Sequence, residues 1–600
     1  MFEGQPIAFD PRWKEYEAQD WSDALVTAMK LGGVDHLFFV SGTEIGFYQE
    51  SIAKAQLKAW PAPRLITVPH EGVALNAALG SSMVSGQPSA TAVHVDVGTL
   101  NYGAGLHSAW RGGYPVLITA GTGPRGYPGT MRGARNRPVQ WVQEPRDQNE
   151  ILRQYTKLDH RLEHQDNPGL IVSRLLQVAM SEPKGPVYLA VPRETAMLKI
   201  PNKIRFPTRD ELGLARPAWP DPRDARRIAE WLIKAENPCV YTSKSGRNPE
   251  AVRELVALAE LLSLPVNDSD RVDRLNFPTT HPLYDTGPEP KDADVLLVIE
   301  NPVPFMPPFE APTANAKIAW IDVDPVQSRY KTMEYHADLW LPVPAATALR
   351  AIHDAATSML GQTDRRRIAE RKARLEQRKR EMLAESEKLA LEAGRRRPMH
   401  PRWVAHQVGK ILEPETILLD EALSNSGLVQ EYHRRALPGT YFGGGGSSGG
   451  WGSGAAFGAK LAAPGRDVVL VTGDGFFMFG TPLPALWSAA HYKAPFLTVV
   501  FTNRSYSTGT TGVLRSYPDG AVAQTENFEG GLLDPAPDFG KLAEAVNGYG
   551  ETVRDPERLA PALQRGLECV RQGAPAIISA HLPTTIEEMR LRQRHGRTAL

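Results

Sequence analysis

Two carboxylates, four hundred residues apart, carry the chemistry of this chain. Asp474 lies between two glycines in VVLVTGDGFFMFG (468–480), where a continuous apolar run meets a helical pattern. Gly473 and Gly475 at a strand end let backbone approach a phosphate closely, and a carboxylate between them can hold a cation. The next apolar run, FLTVVFTN (496–503), closes on Asn503, and Arg504, Ser505 and Tyr506 follow. In a parallel sheet both strand ends lie at one edge, so Asp474 and Asn503 would converge on one ion with the Ser505 carbonyl close by. One carboxylate, one amide and one carbonyl suit magnesium, with a diphosphate completing the octahedron. A lone GDG is often only a turn, so the strand-closing Asn carries much of this reading.

The second carboxylate is Glu71, in LITVPHEGVALNAALGSSMVSG (65–86). It follows an expected strand and opens a helix patterned on Val73, Ala77 and Ala78. An isolated Glu at a helix start is ordinarily just a favourable N-terminal charge. Here the order of the pieces resembles a family. GDG with an Asn closing the next strand resembles the thiamine diphosphate motif; the family's usual Asn-Asn pair is Thr502-Asn503 here, which keeps the ligand. His70-Glu71, the small-residue helix, Gly98-Thr99-Leu100-Asn101 and HSAWRGGYPVLITAG (107–121) resemble the pyrimidine-binding domain of benzoylformate decarboxylase and acetolactate synthase. DADVLLVIENPVPFMPP (292–308) and KIAWIDVDP (317–325) resemble their central domain, without a GxGxxG fingerprint.

The resemblance spans almost the whole chain and implies thiamine diphosphate and Mg2+ as cofactors. It makes Asp474, Asn503 and Ser505 the metal ligands, and Gly473, Gly475 and Tyr506 part of the cofactor site. Glu71 becomes the buried carboxyl that hydrogen-bonds the pyrimidine N1′ and so activates C2. Thr43, in FFVSGTEIG (38–46), takes the place of a substrate-contacting serine; a hydroxyl capping the next helix is the plainer alternative. His70 matches a catalytic histidine and could relay protons near neutral pH; a histidine satisfied by local backbone is its rival. His94 and Gln143 could also line the pocket, although such residues are more often structural. The family's second histidine has no counterpart in NPVPFMPPFEAP (301–312). Relatives place a bulky apolar residue under the thiazolium. An ungapped alignment puts Gly449 there, so either Trp451 supplies the support after a local shift or another side chain does. Ser447 and Ser448 could hydrogen-bond the phosphate, or be plain turn serines.

These residues need strand ends and helix starts to hold them. HLFFV (36–40), ATAVHV (90–95), PVLITAG (115–121), VLLVIE (295–300) and KIAWIDV (317–323) are continuous apolar runs between helical patterns, the mark of parallel strands buried on both faces. The class is α/β. Two stretches read as linkers: 198–224, rich in Pro and charge, and the charged run from Arg365 to Arg397, whose interleaved Glu and Arg predict a solvated connecting helix. The cuts give three doubly wound parallel-sheet domains: pyrimidine-binding (20–197), central (220–355) and diphosphate-binding (398–585).

Composition sets the remaining limits. Lys+Arg and Asp+Glu balance at 68 each over 600 residues, so nothing points to nucleic acid or an anionic membrane. No apolar run is long enough to span a bilayer, and MFEGQPIAFDPRWKEYE has no signal-peptide core. Cys239 and Cys569 stand far apart, which fits a reducing, cytoplasmic setting. The expected activity is cleavage or formation of a C–C bond beside a carbonyl, by a 2-oxo acid decarboxylase or carboligase of acetolactate synthase-like type. The alternative is a lyase acting on a 2-hydroxy ketone (acyloin) or 2-hydroxyacyl-CoA. A non-catalytic cofactor-binding partner subunit is the third reading. The family resemblance also implies a homodimer or homotetramer.

Overall fold

In the computed structural model residues 10–268 and 273–594 are described. The chain divides into two compact units. The first joins Met1–Ala215, Gly444–Gly465 and Met478–Pro495; the second joins Arg216–Gly443, Arg466–Phe477 and Phe496–Leu600. The stretch 398–585 is therefore shared out between the units rather than forming a compact body of its own.

The first unit is built on a six-stranded, all-parallel sheet. Its order is Arg64–Thr67, His36–Phe39, Ser89–Val93, Val116–Thr122, Val187–Pro192 and Asp159–Arg161. Every residue of the strands Ser89–Val93, Val116–Thr122 and Val187–Pro192 is buried, which is why they read as unbroken apolar runs rather than alternating ones. From His36–Phe39 the chain lays its next strand on one side and the following one on the other. This makes a switch point between His36–Phe39 and Ser89–Val93, the place where open α/β sheets bind ligands.

The helix Glu71–Ser85 packs against the helix Gly452–Ala462 through glycines. A Cβ at Gly80 would lie 2.0 Å from the Ala455 carbonyl oxygen, and one at Gly458 would lie 1.8 Å from that of Ala77. Glycine inside a helix costs about 1 kcal/mol relative to alanine, and the backbone contact it permits explains its presence. Gly458→Ala should accordingly destabilise the fold by about 3 kcal/mol, read as a lower denaturant midpoint. Gly465→Ala, where a Cβ would meet nothing within 4 Å, should leave the midpoint unchanged.

The second unit holds two further all-parallel sheets. The five-stranded one runs Val266–Asp268, Pro238–Thr242, Val295–Ile299, Lys317–Asp322 and Leu339–Pro342. The six-stranded one runs Tyr441–Phe442, Ile417–Glu421, Val468–Gly473, Leu497–Thr502, Ala576–His581 and Tyr549–Val553. Three parallel sheets are what the apolar runs predict.

The charged linker departs from expectation. Gln362–Gly394 is one helix, but it is not merely solvated. Ile368, Arg371, Leu375, Lys379, Ala390 and Ala393 are buried along it. The Arg371 guanidinium donates to the carbonyls of Ala235 (2.9 Å) and Leu262 (2.5 Å), and burial pushes it down to about 10. Long basic side chains can bury their stems while their heads find carbonyls, so charge density alone misjudged this helix.

Candidate active site

Parallel pairing of Val468–Gly473 with Leu497–Thr502 sets Gly473 beside Phe501. The two chain ends that follow, Asp474 and Asn503, thus leave the sheet at the same edge. Asp474 is only 2 % exposed and opens the helix Asp474–Phe479. One carboxylate oxygen accepts the Gly475 amide at 2.8 Å and the other the Arg504 amide at 2.5 Å. Arg504 takes a positive φ of 53°. The Asn503 oxygen accepts the Ser505 amide at 3.1 Å, and its nitrogen donates to the Ser507 hydroxyl at 2.8 Å.

Burial pushes the Asp474 carboxyl up to about 6, against the opposing pull of the Arg504 and Gly475 amides. A buried carboxylate held this way gains from a bound cation. A Cβ at Gly473 would meet nothing within 4 Å, leaving room for an approaching phosphate, whereas one at Gly475 would strike the Tyr506 ring at 2.6 Å. Among the described residues no group of three or more His, Cys, Asp or Glu is placed to hold a metal. The donors at this edge are instead a mixed oxygen set, which fits magnesium.

Glu71 is the first residue of its helix, with His70 as the extended N-cap. Asn101 donates to its carboxylate at 3.1 Å, and a Cβ at Gly98 would come within 3.5 Å of its other oxygen. The motif Gly98–Asn101 thus closes on Glu71. The His70 Nδ1 and the Asn76 Oδ1 are buried without a hydrogen-bond partner among the described residues. His70 is therefore not satisfied by local backbone. A buried ring nitrogen without a partner suits a polar ligand group that supplies one.

Thr43 does not cap the next helix: Gly46–Lys58 has Ile45 at its N-cap and no side-chain cap bond. Its hydroxyl donates to Glu44 at 2.6 Å. Glu44 is fully buried, and its carboxylate also contacts the His94 Nε2 and accepts the Gln140 amide at 2.8 Å. Arg193 stands 3.5 Å away. The loops carrying Thr43–Glu44 and His94 follow the two strands that flank the switch point. Sequence reading missed Glu44 and Gln140, since no motif surrounds either one. Gln143 contributes nothing to this cluster, and its Oε1 is buried without a partner among the described residues.

The glycine run lies on the helix Gly103–Gly112. The Ser447 amide donates to the His107 Nε2 at 3.1 Å, and the Ser447 hydroxyl lies 3.2 Å from the same nitrogen. Ser448 bonds the Gly449 carbonyl at 3.2 Å. Trp451 is 3 % exposed and its indole covers Gly444, where a Cβ would be 2.5 Å from Nε1.

Two family models match the chain. The thiamine pyrophosphate enzyme N-terminal TPP binding domain covers residues 19–151, and the C-terminal TPP binding domain covers 424–580. The chain belongs to the thiamine pyrophosphate enzymes. The two models enclose Glu71 and Asp474 respectively. Among similar proteins is a benzoylformate decarboxylase of Pseudomonas aeruginosa, 27 % identical over 88 % of this chain and 94 % of the relative. The acetolactate synthase large subunit of Mycobacterium tuberculosis is 26 % identical over 92 % of this chain and 93 % of its own. The crystal structure of benzoylformate decarboxylase from Polynucleobacter necessarius superposes with a TM-score of 0.75 at 19 % identity, covering 95 % of this chain and 99 % of that one. This thiamine pyrophosphate enzyme thus shares the fold of those proteins along nearly its whole length. No described helix is long and apolar enough to cross a membrane.

Proposed function

We propose that this thiamine pyrophosphate enzyme is a magnesium-dependent 2-oxo acid decarboxylase or carboligase, with 20–197 binding the pyrimidine, 398–585 the diphosphate and 220–355 forming the central domain. The observation that carries the magnesium assignment is Asp474: buried at a strand edge beside Asn503, with only backbone amides on its carboxylate among the described residues. Asp474, Asn503 and the Ser505 carbonyl would hold the metal. Gly473, Gly475, Ser447 and Ser448 would border the cofactor, with Tyr506 beside Gly475. Trp451 is the bulky ring available in the glycine run to support the thiazolium. When bound, thiamine diphosphate supplies a carbanion at C2 able to add to a carbonyl.

The chain's own residues do the rest. Glu71 holds a proton against the pyrimidine N1′, kept in place by Asn101. His70 offers a buried ring nitrogen with no partner among the described residues, at the start of the same helix. Thr43 and His94 provide hydroxyl and imidazole groups at the switch point for substrate and for proton transfer. A lyase acting on 2-hydroxy ketones or 2-hydroxyacyl-CoA remains the second reading, because such a lyase would use the same groups from the other direction. The deciding experiment offers the holoenzyme a panel of 2-oxo acids, acyloins and coenzyme A thioesters, with products read by mass spectrometry. Aldehyde or acyloin formed from a 2-oxo acid supports the first reading; turnover of thioesters alone replaces it with the second.

The active unit we propose is a homodimer or homotetramer, in which Glu71 of one subunit and Asp474 of its neighbour serve one cofactor. Supporting this, Val97 and Leu100, on the turn of helix leading to Asn101, are 59 % and 61 % exposed. An interface would cover both side chains. Mixing Glu71→Gln and Asp474→Ala chains under subunit exchange should restore activity, since each heterodimer regains one intact site. Heterodimers confirmed by mass but inactive would reject the shared site.

A further inference from the structure

We propose that the first unit carries a binding site for a phosphate group at the carboxyl ends of the strands Val116–Thr122 and Asp159–Arg161, where Arg125, Arg146 and Arg161 meet around a cavity. The site does not depend on the function proposed above.

The cavity measures about 360 Å³ and lies between the turn after Val116–Thr122, the end of Asp159–Arg161 and the loop 144–149. The strand Val187–Pro192 pairs in parallel with both of those strands, so all three end at one edge, where α/β sheets take ligands. None of Thr43, His70, Glu71 and His94 lines the cavity. Arg125, Arg146, Arg153 and Arg161 line it, against the carboxylates Glu144 and Asp147.

Most of these charges are already matched. Arg153 donates to Asp147 at 2.9 Å and to Asp159 at 3.2 Å. Glu144 gives one oxygen to the Arg125 Nε at 2.5 Å and the other to Arg135. Two guanidiniums are left over. The Arg161 side chain is only 26 % exposed, yet it donates no hydrogen bond among the described residues, and its ion pair with Glu163 spans 4.0 Å. Arg146 is exposed and has neither a hydrogen bond nor an ion pair on its side chain among the described residues. Burial and the Arg125 charge lower the Arg161 guanidinium from its usual range, while Glu163, Glu194 and Glu144 pull the other way. Glu194 is itself engaged by the Arg125 amide at 2.7 Å. Like charges facing one cavity are relieved by an anion between them.

Phosphate fits better than carboxylate. Guanidiniums reach the cavity from three separate segments, and a tetrahedral dianion has an oxygen for each, where a carboxylate has two; arginine forks pair with phosphate bidentately. Gln148, 6 % exposed, lines the cavity as well. Its Nε2 donates to the Gly121 carbonyl at 2.8 Å and the Tyr188 hydroxyl at 2.9 Å, and its Oε1 is buried without a partner among the described residues. That oxygen is an acceptor for the O–H of hydrogen phosphate or for a hydroxyl carried by a phosphate ester.

The test is calorimetry of the holoenzyme, with magnesium and thiamine diphosphate saturating so that the diphosphate site is filled. Inorganic phosphate, glycerol phosphate and succinate are titrated in turn. Inorganic phosphate or glycerol phosphate should bind in the millimolar range or tighter, the tighter of the two naming the source, with succinate at least about tenfold weaker. Arg161→Gln and Arg125→Gln should each weaken phosphate binding by about tenfold or more, the scale of a charge-assisted hydrogen bond. Arg161→Lys, which keeps the charge and loses the fork, should fall between. Denaturant unfolding separates a binding arginine from a structural one. In phosphate-free buffer Arg161→Gln should keep or raise the midpoint, because it removes a cation that faces Arg125; added phosphate should raise the midpoint of the wild type and not that of the variant. The proposal is overturned if the wild type binds neither phosphate, if succinate binds as tightly, if both variants bind phosphate undiminished, or if Arg161→Gln lowers the phosphate-free midpoint. Failure of thiamine diphosphate to bind the wild type would count against the proposed function and leave this site standing.

Discussion

Asp474→Ala should lose thiamine diphosphate binding by at least about 100-fold in calorimetry with magnesium, or about 2.7 kcal/mol. A diphosphate brought to a strand edge needs its charge neutralised, and Asp474 is the one carboxylate that the pairing of Val468–Gly473 with Leu497–Thr502 puts there beside Asn503. The wild-type site should also depend on pH with a definite sign. Because burial raises the carboxyl to about 6, protons compete with the cation below that pH, and affinity should fall about tenfold per unit as the pH drops. The unliganded fold runs the opposite way. A carboxyl whose folded pKa lies above its unfolded value costs stability as the pH rises through that window, so a bound cation should stabilise the protein most at neutral pH. Wild-type affinity in Asp474→Ala would remove the metal assignment.

Glu71→Gln is expected to behave differently. Cofactor binding should persist, because the amide keeps the size of the side chain and can still meet Asn101, which donates to Glu71 at 3.1 Å. Turnover should fall by about 1,000-fold, the scale of a lost general acid–base group. The direct reading is exchange of the cofactor C2 proton by NMR in the bound state. Slow exchange with intact binding identifies Glu71 as the activating carboxyl; unchanged exchange assigns that role to another group. The two variants thus separate holding the cofactor from activating it.

The residues around these two carboxylates were legible for different reasons. Gly473, Asp474, Gly475 and Asn503 stand at the ends of unbroken apolar runs, and a parallel sheet brings such ends to one edge whatever the rest of the fold does. Glu71 at a strand-to-helix junction is ordinary by itself, and it was the resemblance of the surrounding segments to a family that singled it out. The apolar runs likewise carry the α/β class, since strands buried on both faces have no polar positions to alternate with.

Tertiary structure alone decided the rest. Glu44 is the clearest case: a single Glu in FFVSGTEIG has no periodic signal, and its meaning comes from His94, Gln140 and Arg193, brought to it from fifty to a hundred and fifty positions away. The burial of Arg371 and Lys379 in a helix that looks solvated follows from carbonyls on distant segments that satisfy them. The glycines of Glu71–Ser85 and Gly452–Ala462 make sense only because the two helices touch backbone to backbone. Local patterns record what each strand and helix needs on its own faces. Which buried charges find partners, and which glycines must stay bare, depends on contacts between segments far apart in the chain, and these leave no mark at either segment alone.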